Sequence, residues 1–143
     1  MIIVPEDMRQ RALAASILLG KGEQPNLVLP QWGAENGWSW PWHNNPGNIS
    51  DRHLAQDRFT HSWLISASAV QDNGALVYPT PEAGICAYVM LMMSLYGEVW
   101  AQGTPQALFA ALGRSGWAES RYMGTTGEAG GELMEIYREL KEG

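Results

Sequence analysis

The chain has 143 residues, 45% of them hydrophobic and 17% charged, with a formal net charge of −6. That is the size and composition of one domain with a real core, and it is far from the signature of disorder. Only nine Lys and Arg are present, which leaves no basic footprint for a phosphate backbone and argues against a nucleic-acid partner.

The N-terminal stretch MIIVPEDMRQR lacks the basic and long apolar regions of a signal peptide. The longest apolar run, Ala87 to Met93, is far short of the ~20 residues that cross a bilayer. The expectation is synthesis in the cytoplasm without membrane insertion. A first helix is predicted from about Glu6 to Leu19, with acidic residues in its first turn and Met8, Leu13, Ile17 and Leu18 at roughly helical spacing. Gly20 and Gly22 stop it. A second helix is predicted from about Asn26, as N-cap, to Gly37, as C-terminal cap, which puts Glu35 in its last turn.

The middle third changes character. NPGN is a turn, and RFTHSWLISASAVQDNGALVY reads as strand, with Asn73-Gly74 as a hairpin signal. TPEAG and TPQAL then repeat one helix-start signal. Thr80 and Thr104 are the caps, and Pro81 and Pro105 take the first helical position. The first opens an apolar helix from Pro81 to about Tyr96, the predicted central helix, with Cys86 expected as a buried thiol and Gly84 as a weak point or a close contact. The second opens a helix from Gln106 to Leu112, and a last amphipathic helix is predicted from Glu132 to Leu140. No linker divides the chain. The fold class expected is one α+β domain over residues 1–143, mainly helical with a small antiparallel β lobe or hairpin.

The chemistry concentrates in QWGAENGWSWPWHNNPGNIS, residues 31–50, for five of the seven Trp lie between Trp32 and Trp63. A carboxyl among apolar rings has its charged form disfavoured, which suits Glu35 to protonate a leaving glycosidic oxygen. Sugars offer apolar C–H faces to aromatic rings and hydroxyls to amides, so Trp38, Asn44, Asn45 and Asn48 are candidate contacts. A glycosidase also needs a second group. An inverting enzyme places a base roughly 6.5–9.5 Å from the acid, and a retaining one a nucleophile at about 5–5.5 Å. Asp51 and Asp57 are the candidates, with Asp72 more simply a turn residue. His43, His53 and His61 have no zinc-pair spacing, His43 reads as a surface-loop residue beside the aromatic cluster, and no metal or cofactor motif is present.

QWGAENGW followed by NNPGNI resembles the Q-x-x-x-E-[ST]-G-W … N-N-[PL]-x-x-I region of FlgJ-like and autolysin-like peptidoglycan N-acetylglucosaminidases. VYPTPEAGICAYVMLM and ALGRSGWAESRYM are similar, in family order, to the start of their central helix and to their L-x-x-S-G-Y-A-T-D-P-x-Y segment. The resemblance spans residues 8 to 140 and implies a lysozyme-like fold and an endo-acting hydrolase of the β-1,4 glycan, without a cofactor. Glu35 maps onto the family's general acid, and Tyr122 onto an aromatic near the cleaved sugar. Trp117 replaces the Tyr of the GYA triplet, and by the resemblance Trp117 and Tyr78 are expected to contact substrate. Tyr78 and Tyr88 match aromatics before and within the central helix, and Asn45 and Ile49 match the turn behind the acid. Departures are Asn36 after the acid, a segment one residue shorter between Ala118 and Tyr122, and a β region that does not align. Alternatives on the same residues are a lytic transglycosylase, a muramidase, or a non-catalytic glycan-binding or virion protein. The expected partner is the peptidoglycan strand, met by a monomer after phage lysis, export, or as part of a virion.

Overall fold

A computed structural model describes residues 1–50, 53 and 67–142. Among them are six α-helices and one two-stranded antiparallel sheet, a mainly helical α+β arrangement. Helix α1 spans Glu6–Leu18 and buries Met8, Ala12, Ala15 and Ser16. The apolar stripe expected from the sequence is mostly displaced, since Ile17 and Leu18 are 50% and 53% exposed. Small side chains form the inward face instead, which lets the helix pack closely. Its Ser16 hydroxyl lies 2.8 Å from Gly22 O and accepts the Gln24 N–H at 3.2 Å, so it ties down the following glycine turn.

A 3-10 turn, Pro25–Leu27, leads into α2, Leu29–Asn36. Asn26 therefore lies within the turn rather than capping the helix. Pro30 sits in the first turn of α2, where its missing N–H costs nothing. Gly37, at φ +77°, ends the helix and returns its N–H to Gly33 O at 2.7 Å. The sheet pairs β1, Ala69–Val70, with β2, Leu76–Val77. Ser50 bridges to Ala75, so the chain leaving the asparagine turn runs beside β2. Most of the remaining expected strand, with Phe59, His61 and Trp63, lies outside the described residues.

Four helices follow: α3, Pro81–Leu95; α4, Gly97–Trp100; α5, Pro105–Arg114; and α6, Gly131–Glu142. Both Thr-Pro signals act as expected. Thr80 and Thr104 accept the N–H of Ala83 and Ala107, each at 3.1 Å. Tyr88, Leu91 and Met92 of α3 share one core with Trp32, Phe109, Leu112 and Leu133, each such side chain contributing roughly 1.5–3 kcal/mol by its burial. Cys86 is exposed, contrary to expectation, because it starts an outward stripe that continues four and seven residues on at Met90 and Met93. Among the described residues no helix is long and apolar enough to cross a membrane.

Gly84 resolves as a close contact. A Cβ there would stand 1.6 Å from the carbonyl oxygen of Asn44, so only glycine lets α3 carry the asparagine turn on its backbone. Gly84→Ala is expected to destabilise the protein by about 2–3 kcal/mol through this overpacking. Gly97→Ala, where a Cβ meets nothing within 4 Å, should stay within about 0.5 kcal/mol of wild type. Urea-unfolding midpoints of the two variants check this.

Candidate active site

Glu35 is half-buried in the last turn of α2 and is held from two directions. The Tyr122 hydroxyl donates to its Oε1 at 2.6 Å, and the Asn48 amide donates to its Oε2 at 3.1 Å. The same Asn48 amide reaches the Glu35 carbonyl at 3.0 Å, which fixes which end of the amide faces the acid.

The turn that delivers Asn48 is built from side-chain amides acting as backbone. Asn45 is fully buried; its Nδ2 donates to Ile49 O and Leu76 O, and its Oδ1 accepts the Ile49 N–H. Asn36 donates to Asn45 O and Pro46 O, tying the end of α2 to the turn. Asn44 and Asn48 take φ of +57° and +53°, a region that asparagine tolerates better than most residues.

Tyr122 arrives from the segment between α5 and α6, where Arg121 and Tyr122 both have positive φ, at +56° and +51°. For a bulky residue this is strained backbone. It is held by the Gly130 N–H on Arg121 O and the Glu132 N–H on Tyr122 O, both at 2.9 Å. The segment that is one residue shorter than the pattern it resembles thus still brings the Tyr122 hydroxyl onto Glu35. Burial first, and then the charge of Glu35, push the Tyr122 hydroxyl far above its ordinary range, so it remains a proton donor.

Behind Tyr122 lies a pair that sequence reasoning missed. Gln31, one turn before Glu35 and 1% exposed, donates to the Tyr122 oxygen at 3.1 Å and accepts from the Tyr88 hydroxyl. The Gln31–Glu35 spacing of i, i+4 was a usable signal, because it puts both on one helix face. Tyr88 on α3 had no local signal.

Several expected substrate contacts are corrected. Asn45 has its amide fully committed inside the protein, and Tyr78 is 1% exposed in the core. Trp117, also 1% exposed, donates to Gly47 O at 2.9 Å and packs against Tyr88, Tyr96 and His53. None of the three offers a surface to a ligand. Asn44 is partly buried and braces the turn, accepting from Trp40 and donating to Tyr78 O. Trp38 is partly exposed and covers Gly33, where a Cβ would stand 2.2 Å from its ring. Asp51 and Asp57 lie outside the described residues, and Asp72 is exposed in the β1–β2 connection.

His43, read as a surface-loop residue, is 8% exposed. Its Nδ1 accepts the Asn45 N–H at 3.2 Å, which places the ring proton on Nε2. The chain matches no protein-family model, no curated protein and no solved structure.

Burial lowers the His43 pKa below its ordinary 6.5. The unfolded chain therefore binds the proton more tightly, and the stability from neutral His43 is full above 6.5 and lost as pH falls through the folded value. His43→Asn, which keeps an acceptor but cannot titrate, should lose part of this acid sensitivity. The stability gap between wild type and variant is expected to be larger at about pH 7.5 than at about pH 5, measured by urea unfolding.

Proposed function

We propose that the chain is a glycoside hydrolase that cuts the β-1,4 glycan of peptidoglycan, in the manner of an endo-β-N-acetylglucosaminidase, with Glu35 as the general acid and Tyr122 and Asn48 positioning it. The observation that carries this reading is the two-sided grip on Glu35 by side chains 87 and 13 residues away in sequence. A carboxyl so fixed at a helix end, beside a polar cavity, has the pre-organisation that proton transfer to a leaving oxygen needs. The mainly helical fold around a small sheet is compatible with the lysozyme-like architecture implied by the sequence resemblance.

The hydrogen-bond polarity refines the chemistry. Tyr122 and Asn48 both donate to Glu35, an arrangement made to an ionised carboxylate. For Glu35 to carry its proton on Oε1, the Tyr122 hydroxyl must turn and donate elsewhere. Rotating the Gln31 amide by a half-turn provides that acceptor, since its oxygen then faces Tyr122, while its NH₂ turns to the Tyr88 oxygen and the Tyr88 hydroxyl gives up the bond it donated to Gln31. The pair Gln31–Tyr122 thereby serves both states of the acid, donating to the anion and accepting from the protonated form.

A lytic transglycosylase is a second reading, for which Glu35 in the grip of Tyr122 and Asn48 would be enough. One acid suffices when the substrate's own hydroxyl closes an anhydro ring. Mass spectrometry of digested cell walls separates the two, reducing ends reporting hydrolysis and 1,6-anhydro ends transglycosylation.

Glu35→Gln should lower the rate of cell-wall clearing by roughly a thousandfold while leaving the circular dichroism spectrum unchanged. Wild-type activity in that variant overturns the assignment. Gln31→Met, similar in volume but unable to reverse its polarity, should lower kcat by about tenfold with KM within about twofold, and displace the acid limb of the pH–rate profile.

A further inference from the structure

A cavity of about 620 Å³ opens where the ends of α3 and α5 meet α4, and neither Glu35, Tyr122 nor Asn48 bounds it. Its volume lies within the range of small-ligand sites. Several polar side chains around it are already committed to the protein. The Ser94 and Ser115 hydroxyls donate to Leu91 O and Leu112 O at 3.2 and 2.6 Å. Gln102 donates to Glu98 O at 3.0 Å, and Lys21 donates to Gln102 O at 2.7 Å, which fastens the chain beyond α1 to this wall.

Two charged heads on the rim are not committed. Glu98 stands in the first turn of α4 and Arg114 in the last turn of α5, both exposed and both bounding the cavity. No ion pair or side-chain hydrogen bond joins either to the other or to any described residue. A purely anionic ligand meets Glu98 and the chain's net charge of −6, and a purely cationic one meets Arg114. A ligand carrying both an ammonium and a carboxylate satisfies the two heads together.

Between and beyond these charges the lining is apolar. Leu95, Val99 and Ala111 bound the cavity, with Met93 62% exposed at its edge. Met93 and Gly97 also bound a second cavity of about 300 Å³, which reaches Leu19, Trp100 and Ala101. The two spaces therefore run together over Met93 and Gly97. A Cβ at Gly97 would meet nothing within 4 Å, so the floor between them is open. Among the side chains of the second cavity the one nitrogen or oxygen is Trp100 Nε1, and it is shut inside the protein. That extension shows a ligand only carbon and sulfur side-chain atoms, including a methionine able to adapt its shape.

We propose that the joined cavities bind a short apolar peptide with free termini. Its α-ammonium sits at Glu98, its carboxylate at Arg114, and an apolar side chain lies over Met93 and Gly97 toward Trp100. A single amino acid would leave the extension empty. None of these residues takes part in the grip on Glu35, so the site does not rest on the reading under the preceding heading.

The test uses the full chain and the tripeptide Leu-Ala-Leu, with its N-acetylated and its C-terminally amidated forms. Calorimetry gives the affinities, and NMR follows the Met93 methyl and the Trp100 indole. The free tripeptide is expected to bind and to shift both signals, and each blocked form to bind about fivefold more weakly. Arg114→Gln should weaken the free tripeptide about fivefold and the amide by less than about twofold. Glu98→Gln should show the same contrast between the free and the N-acetylated forms. Gly97→Leu, which covers the open floor, should cut binding by about tenfold or more. All three positions are exposed, and circular dichroism confirms that the variants fold. Unshifted Met93 and Trp100 signals overturn the site, as do charge variants that weaken free and blocked peptides alike. Glu35→Gln is expected to bind the tripeptide as wild type does; loss of binding there places the peptide at the acid and overturns the site.

Discussion

The carbonyl oxygen of Asn44 lies against the backbone of α3 at Gly84, at a separation no side chain allows. This contact seats the asparagine turn on the central helix, and everything around Glu35 is referenced to it. From that seat Asn45 reaches β2, Asn36 reaches back from α2, and Asn48 reaches Glu35. Helix, turn and sheet are joined by side-chain amides that satisfy backbone groups which regular structure leaves open. Because the ties are mutual, no one of the three elements can shift without moving the acid.

The environment of Glu35 departs from the simple picture of a carboxyl among rings. Hydrogen bonds donated by Tyr122 and Asn48 favour its charged form. The rings and these donors occupy different parts of the site. The rings of Trp32, Trp40 and Tyr88 pack edge-to-face in the interior behind the helix, whereas Tyr122 and Asn48 touch the carboxylate itself. The aromatic density that marks the region in the sequence therefore mostly builds the wall. Among the described residues, one tyrosine and one asparagine donate directly to the acid.

What was legible in the sequence was what short-range chemistry decides. The Thr-Pro starts of α3 and α5, the acidic opening of α1 and the Gly37 stop of α2 each follow from residues within one turn of the effect. Glu35 was legible because its helix end and its aromatic neighbours are local. The failures are those that tertiary contact decides. Trp117 and Tyr78 look like sugar platforms until the packing consumes them, and Cys86 sits in an apolar run yet on its outward face. His43 is the reverse, a loop histidine that the Asn45 N–H and the Tyr78 N–H draw inward through its ring and its carbonyl. Tyr88 and Gln31 meet across 57 residues, a separation no periodicity encodes.

The same amide logic accounts for how one turn serves two purposes. An asparagine side chain carries one donating and one accepting end, and a backbone carbonyl that claims the donor leaves the acceptor aimed in a known direction. Asn36 and Asn48 are both claimed in this way. The bonds that fasten the turn to α2 therefore also fix which polar face the turn shows to the cavity bounded by Asn36, His43, Asn48 and Ser50. A lysine or aspartate at either position would carry a charge into that cavity, and a serine could turn its hydroxyl to either role. Amides supply polarity that is both neutral and directed. Holding the acid and presenting the cavity are thus consequences of the same set of hydrogen bonds.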